Sequence, residues 1–240
     1  VTVRAASVIW HELECGAYGA DLPLWEELAD EADGPVLDLG CGTGRVALHL
    51  ARRGHGVLGL DLNADFVAAL RERAGARLEA RIGDVRGFEL DAEFALALAP
   101  MQLIQLLAGP EERARCLRCV AGHLGAGGIA AFAIVESVPA PSETAPPLPD
   151  TREVDGWIYS SLPIEAAVGG GEIRVRRLRQ TVSPAGELGE AIEDAVLWEL
   201  DAGTLEREAA EAGLRAAGRR TIPATDAHIG STVVLLGKES

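Results

Sequence analysis

The chain has 240 residues, 48% of them hydrophobic, and its 22 basic against 37 acidic side chains give a formal net charge of −15. That is enough apolar material for one large α/β domain with a full core. The acidity argues against a polyanionic partner, because nucleic-acid binders carry a basic footprint.

In chain order, residues 22–29 read as an amphipathic helix that includes Trp25 and Leu28. Residues 35–39 read as a buried strand and 45–52 as a helix. Between them lies Asp38-Leu39-Gly40-Cys41-Gly42-Thr43-Gly44. A glycine-rich turn from strand to helix lets a ligand approach the backbone and aims helix N-terminal N–H groups at it. A dinucleotide fingerprint needs Gly-x-Gly-x-x-Gly, and its third glycine falls on Arg45 here, which disfavours a nicotinamide-dependent oxidoreductase. Residues 56–61 form a second apolar strand ending in Asp61. A carboxylate at a strand's C-terminal end can accept from both hydroxyls of a ribose. Asn63 suits a helix N-cap. A third strand, 76–82, leads into Gly83-Asp84. A fourth, 94–100, is followed by a helix starting at 101–107. A further helix spans 110–124, with Pro110 suited to its first turn, and strand 129–135 follows.

Residues 137–150 hold five prolines and read as an irregular loop. Residues 156–200 read as three strands separated by Gly169-Gly170-Gly171 and Ser183-Pro184-Ala185-Gly186. A helix at 204–212 ends at Gly213, and strands at 219–223 and 232–236 close the chain. Alternating strands and helices up to about residue 136 imply a parallel sheet with right-handed crossovers.

The run Val36-Leu37-Asp38-Leu39-Gly40-Cys41-Gly42-Thr43-Gly44-Arg45-Val46-Ala47 closely resembles the first motif of the class I, Rossmann-like S-adenosylmethionine (AdoMet)-dependent methyltransferases of the small-molecule type. The resemblance is strong over 34–136 and generic beyond. It implies an α/β doubly wound sheet of order 3-2-1-4-5-7-6, with strand 7 antiparallel. A small antiparallel sheet is inserted after strand 5. One domain then divides into an N-terminal cap (1–34), an AdoMet-binding core (35–136), a substrate-cover insertion (137–202) and the rest of the core (203–240).

The resemblance also implies roles. Asp38, Gly40, Cys41 (through its backbone), Gly42 and Gly44 would form the cofactor turn. Asp61 would take the ribose, with Leu62 packing on the adenosine. Asp84 would accept from the adenine amino group, and the Val85 N–H would meet a ring nitrogen. Ala99, Gln102 and Gln105 would border the methyl group at the end of strand 4, although Gln105 reads equally well as a polar position on a helix face. Tyr18 would cap the cofactor's amino-acid end. Two departures stand out. Ala95 replaces an acid that often begins strand 4. Ala99-Pro100-Met101-Gln102 matches neither the motif of nucleic-acid amino methyltransferases nor the Pro-Cys of cytosine C5 enzymes.

Ligands of open α/β sheets lie outside the strand C-termini. That edge takes His11, Glu136 and His228 as candidate proton acceptors, needed only if the nucleophile arrives protonated. His49, His55 and His123 map elsewhere. Trp10, Trp157 and Tyr159 would wall a substrate or fill core. Arg174, Arg176, Arg177 and Arg179 read as the charged face of a solvated edge strand, or as a contact for an anionic substrate group. The four cysteines form no disulfide framework in a chain this long. Cys116 and Cys119 lack a second pair for zinc, so no metal is expected. No signal peptide is read, and the apolar stretch 94–108 is too short for a bilayer. The expectation is a cytoplasmic monomer or homodimer that methylates an O or N nucleophile of a small molecule, with no nucleic-acid or membrane partner. The alternative is a protein of the same fold that binds AdoMet or its product without methyl transfer.

Overall fold

A computed structural model describes residues 5–138, 148–225 and 228–238. Before the first strand come helices α1 (Ala6–Cys15) and α2 (Leu22–Glu31). The core then runs β1 (Val36–Leu39), α3 (Arg45–Arg53), β2 (Val57–Asp61), α4 (Ala64–Arg71), β3 (Leu78–Ile82), β4 (Phe94–Ala99), α5 (Gly109–His123) and β5 (Leu124–Ile134). Strands β6 (Asp150–Val154), β7 (Trp157–Gly169), β8 (Glu172–Val182) and β9 (Leu188–Trp198) follow, then α6 (Ala202–Glu211), β10 (Leu214–Ile222) and β11 (Ser231–Lys238).

The main sheet has the order β3-β2-β1-β4-β5-β11-β10. Strands β1 to β5 are parallel, and β11 runs antiparallel to both β5 and β10. With four inserted strands counted separately, this is the expected doubly wound order with its antiparallel member. Both faces are covered, which is why β1 and β4 read as nearly continuous apolar runs. On one face Leu37, Leu39, Phe132, Leu117 and Leu205 pack between the sheet, α5 and α6. On the other, Val36, Leu98, Trp25, Leu50 and Leu70 join the sheet to α2, α3 and α4.

Several elements differ from the sequence reading. Helix α1 begins without a side-chain cap, so no stop-and-start signal marks it, and its burial of Val8, Ile9 and Leu13 is a tertiary effect. The helix expected from 101 is instead a turn with Met101 and Gln102 at positive φ, followed by a short 3₁₀ segment, Leu103–Leu106. β5 starts at Leu124, five residues earlier than expected, through a glycine-rich stretch. β10 starts at Leu214 and takes a bulge near Gly218, whose φ is 123°. Most of the proline-rich loop, 139–147, lies outside the described residues, but its end is strand β6 rather than loop. The second sheet therefore has four strands, in the order β6-β7-β8-β9. The arginine-rich β8 is interior to it, which corrects the edge-strand expectation. Among the described residues no helix is long and apolar enough to cross a membrane.

Candidate active site

The turn from β1 to α3 passes Gly40, Gly42 and Gly44, with φ of 61°, 55° and 93°. Side chains rarely tolerate these values. Space is also short: a Cβ on Gly40 would sit 2.7 Å from Leu103 Cδ1, and one on Gly42 would meet the His11 ring. The Gly42 N–H donates to Asp61 Oδ2 at 2.8 Å, and the Asn63 N–H donates to Asp61 Oδ1 at 2.8 Å. Two backbone donors thus fix this carboxylate at the C-terminal end of β2, and each oxygen keeps lone-pair capacity for a ribose hydroxyl. Asn63 caps α4 by accepting from the Asp65 and Phe66 N–H groups. Leu62 beside it is 67% exposed, an apolar side chain left open at the C-terminal end of β2.

Beneath the turn, Asp38 is 1% exposed, and neither carboxylate oxygen has a hydrogen bond of ordinary geometry among the described residues. Burial pushes its carboxyl up to about 7, and the Arg45 charge and the nearby Ala47 N–H counter this only in part. A buried carboxylate without a partner is costly, so this orphan is the kind of group that a cationic ligand end or an ordered water would satisfy. Cys41 turns its thiol inward against Gly59, and burial raises that thiol. Its N–H donates to the Leu60 carbonyl.

At the end of β3, Asp84 holds Arg86 through both carboxylate oxygens, at 2.7–3.1 Å, and Arg86 reaches on to Glu112 at 2.8 Å. The Arg86 hydrogen bonds keep the Asp84 carboxyl below the usual range. The Val85 side chain is buried in the core beside it, and Ala99 is buried at the end of β4. Gln102 donates to Ser231 Oγ at 3.0 Å, tying the β4 turn to β11.

Gln105 does not open onto the end of β4, which corrects that expectation. It is fully buried. Its Nε2 donates to the carbonyls of Val135 and Trp198, and its Oε1 accepts from the Val135 N–H at 2.7 Å. Glu136 is likewise engaged: Oε1 accepts from the Ala202 N–H at 3.0 Å and Oε2 from Thr232 Oγ1 at 2.7 Å. It anchors α6 and β11 rather than standing free as a base.

His11 lies over the glycine turn, 4.4 Å from the Phe66 ring and with Nδ1 3.3 Å from Thr43 Oγ1. Burial holds its imidazole below the usual value. His228 stacks on Tyr18 with ring centroids 4.5 Å apart. Burial raises the Tyr18 phenol. Away from this edge, His49 meets Glu26, His55 meets Asp30, and His123 accepts from the Leu90 N–H. Trp10 and Tyr159 meet edge to face at 5.1 Å, joining α1 to β7, whereas Trp157 is exposed at the β6–β7 turn. Cys119 donates to the Phe88 carbonyl and Cys116 is buried. No His, Cys, Asp or Glu cluster suited to a metal occurs among the described residues.

Sequence reasoning missed two ionic groups. Arg179 forks onto Glu14 of α1 at 2.7–2.8 Å, and Arg177 reaches Ser161 and Asp150. Arg45 forks onto Asp21. The signal for the second was Arg45 itself, a large cation inside a glycine motif.

Residues 36–128 match a family model described as a methyltransferase domain. A cypemycin N-terminal methyltransferase of Streptomyces sp. is 35% identical over 114 residues, covering 47% of this chain and 46% of that protein. A 23S rRNA (uracil(1939)-C(5))-methyltransferase of Pseudomonas aeruginosa is 47% identical over 74 residues, or 30% of this chain and 16% of that protein. The aligned stretches thus span less than half of these curated relatives. Among solved structures, the AdoMet-bound amino pentose methyltransferase CalS10 from Micromonospora echinaspora superposes with a TM-score of 0.69 at 19% identity, covering 96% of this chain and 97% of that one. That likeness is one of fold. In its glycine turn, its acid at the end of β2, its strand order and the matched methyltransferase domain, the chain is similar to the class I, Rossmann-like AdoMet-dependent methyltransferases.

Proposed function

We propose that the protein transfers a methyl group from AdoMet to a neutral amine nitrogen of a small molecule. The residues present fit the cofactor. The glycine turn would bring a ligand close to backbone, Asp61 would take the ribose, Leu62 would pack on the adenosine, and Asp84, whose oxygens both meet Arg86, would use its remaining lone pairs for the adenine amino group. The buried, unpartnered Asp38 suits the cationic end. When bound, AdoMet supplies a methyl group on a sulfonium whose thioether is a good leaving group. The chain's part is to orient the nucleophile in line and to keep water away.

The observation that carries the amine reading is the engagement of the candidate bases. Glu136 has both oxygens committed to Ala202 and Thr232. His11 is pressed on the glycine turn beside Thr43 and Phe66. His228, the third candidate, has its ring set against Tyr18; an alcohol or phenol would need one of the three to take its proton. A neutral amine would need none of them: its own lone pair would be the nucleophile, the thioether would be the leaving group, and the surplus proton would pass to water. The names of the cypemycin N-terminal and amino pentose enzymes support the same reading.

The test is release of S-adenosylhomocysteine (AdoHcy) from AdoMet with two substrate panels, amino sugars and peptides with free N-termini against phenols and alcohols. Turnover is expected with amines alone. Turnover confined to the oxygen nucleophiles would reverse the assignment. AdoHcy binding without turnover on either panel would favour the alternative, a protein that binds the cofactor without methyl transfer.

A further inference from the structure

Arg45 is the first residue of α3, directly after Gly44. Its Nη1 donates to Asp21 Oδ1 at 2.5 Å and to the Tyr18 carbonyl at 2.9 Å, and its Nη2 donates to Asp21 Oδ2 at 2.7 Å. Its guanidinium also lies over the Tyr18 ring, 5.1 Å from the centroid. Asp21 is held from a second side by Trp25 Nε1 at 2.7 Å. The ion pair is dry, with side-chain exposures of 9% and 1%. We propose that Arg45 is a positioning residue: it sets the closure of the ligand edge by holding Tyr18, in the α1–α2 loop, against His228, in the β10–β11 loop. The proposal rests on the AdoMet reading above.

The stability role alone accounts for the Asp21 fork. It does not account for the other two contacts. The Tyr18 carbonyl and the Tyr18 ring are both gripped by the same guanidinium, and Tyr18 is the residue that meets His228. The two loops come from opposite ends of the chain, one before β1 and one before β11, and they meet through this ring pair. A planar fork is needed to bond a carboxylate, a carbonyl and a ring face at once; an ammonium keeps the charge but cannot reproduce that geometry. The hold on Tyr18 originates at the first turn of α3, next to the glycines that would carry the cofactor. Cofactor seating and loop closure are thereby joined in one residue.

Replacing Arg45 by Met would leave Asp21 buried and unpaired near Asp38, so the informative variant is Arg45→Lys. AdoHcy affinity is measured by calorimetry for wild type, R45K, Tyr18→Leu and the double variant. R45K is expected to weaken AdoHcy by roughly tenfold, with the melting temperature of the free protein moved by only a few degrees. Because Arg45 acts through Tyr18, R45K should add less than about twofold in the Y18L background. Amide hydrogen exchange is followed in parallel, and R45K should speed exchange in residues 16–20 and 228–230. Wild-type affinity in R45K, or independent losses that multiply in the double variant, would overturn the proposal. If wild type itself fails to bind AdoHcy, the cofactor reading falls. Unchanged exchange in R45K would then overturn the positioning role separately.

Discussion

A single carboxyl makes folding sensitive to pH. Asp38 lies at the C-terminal half of β1, buried under the glycine turn, with its carboxyl pushed up to about 7 by burial. In an unfolded chain the same group titrates near 3.8, its ordinary value. The folded state therefore binds the proton more tightly, and stability falls as pH rises across the window between these values. Three units correspond to about 4 kcal/mol as an upper scale, since 1.36 kcal/mol accompanies each unit. Asp84 and Glu14 are shifted downward by their arginines, so they favour folding as pH rises and partly hide the effect. The difference between wild type and Asp38→Asn isolates it. D38N is expected to be the more stable protein at pH 8, with the advantage shrinking towards pH 4. Denaturant unfolding of both proteins at four pH values checks this, and a flat difference would mean that Asp38 is not the strained group. The structure gives a reason to keep such an acid: two backbone donors already neutralise the need of Asp61, which leaves Asp38 as the unfilled acceptor beneath the turn.

Among the elements, the 3₁₀ segment Leu103–Leu106 carries more than its length suggests, because Gln105 clasps β5 and β9 through one amide. Gln105→Leu would leave the Val135 N–H and two carbonyls without partners in a fully buried setting. Each orphaned group costs about 1–3 kcal/mol, so a loss of roughly 3 kcal/mol is expected. Chemical denaturation measures it, and a cost under about 0.5 kcal/mol, the level of a surface substitution, would show that the clasp is incidental. This clasp was illegible in the sequence because its partners lie 30 and 93 positions away. From the sequence side, a glutamine after a strand reads as well for a groove as for a core. The β1–α3–β2 unit was legible for the opposite reason. Its apolar runs are short and continuous, its glycines alternate within one turn, and the donors to Asp61 come from that turn and from Asn63, two positions on. Strand β6 was obscured by the prolines before it and by its own polar composition, Asp150-Thr151-Arg152-Glu153. Its pairing with β7, not its propensity, makes it a strand. The Arg45–Asp21 pair was hidden because nothing in the sequence fixes the path of the loop that brings Asp21 to α3.

At the scale of the whole molecule, charge decides between partners. The rRNA methyltransferase match covers 74 residues, 30% of this chain and 16% of that protein. The formal charge here is −15. The only basic cluster in the sequence is on β8, and the structure neutralises it residue by residue. Arg174 and Arg176 meet Asp194, with Glu172 and Glu165 beside them. Arg177 meets Asp150, and Arg179 meets Glu14. Arg86, Arg113 and Arg219 are paired with acids as well. Exposed pairs are individually weak, but each places a carboxylate where an incoming phosphate would have to sit. Affinity for duplex nucleic acid comes mainly from counterions released by unpaired cations, and the β8 arginines are already paired. The protein is therefore expected to form no submicromolar complex with duplex DNA or RNA at about 150 mM salt, a concentration at which exposed charges are screened beyond ~8 Å. Fluorescence anisotropy with labelled duplexes at two salt concentrations checks this. A tight complex that weakens steeply with salt would reveal a phosphate-binding surface and favour an RNA substrate over a small amine. Weak binding that ignores salt would leave the small-molecule reading in place, because contact without counterion release is not backbone recognition.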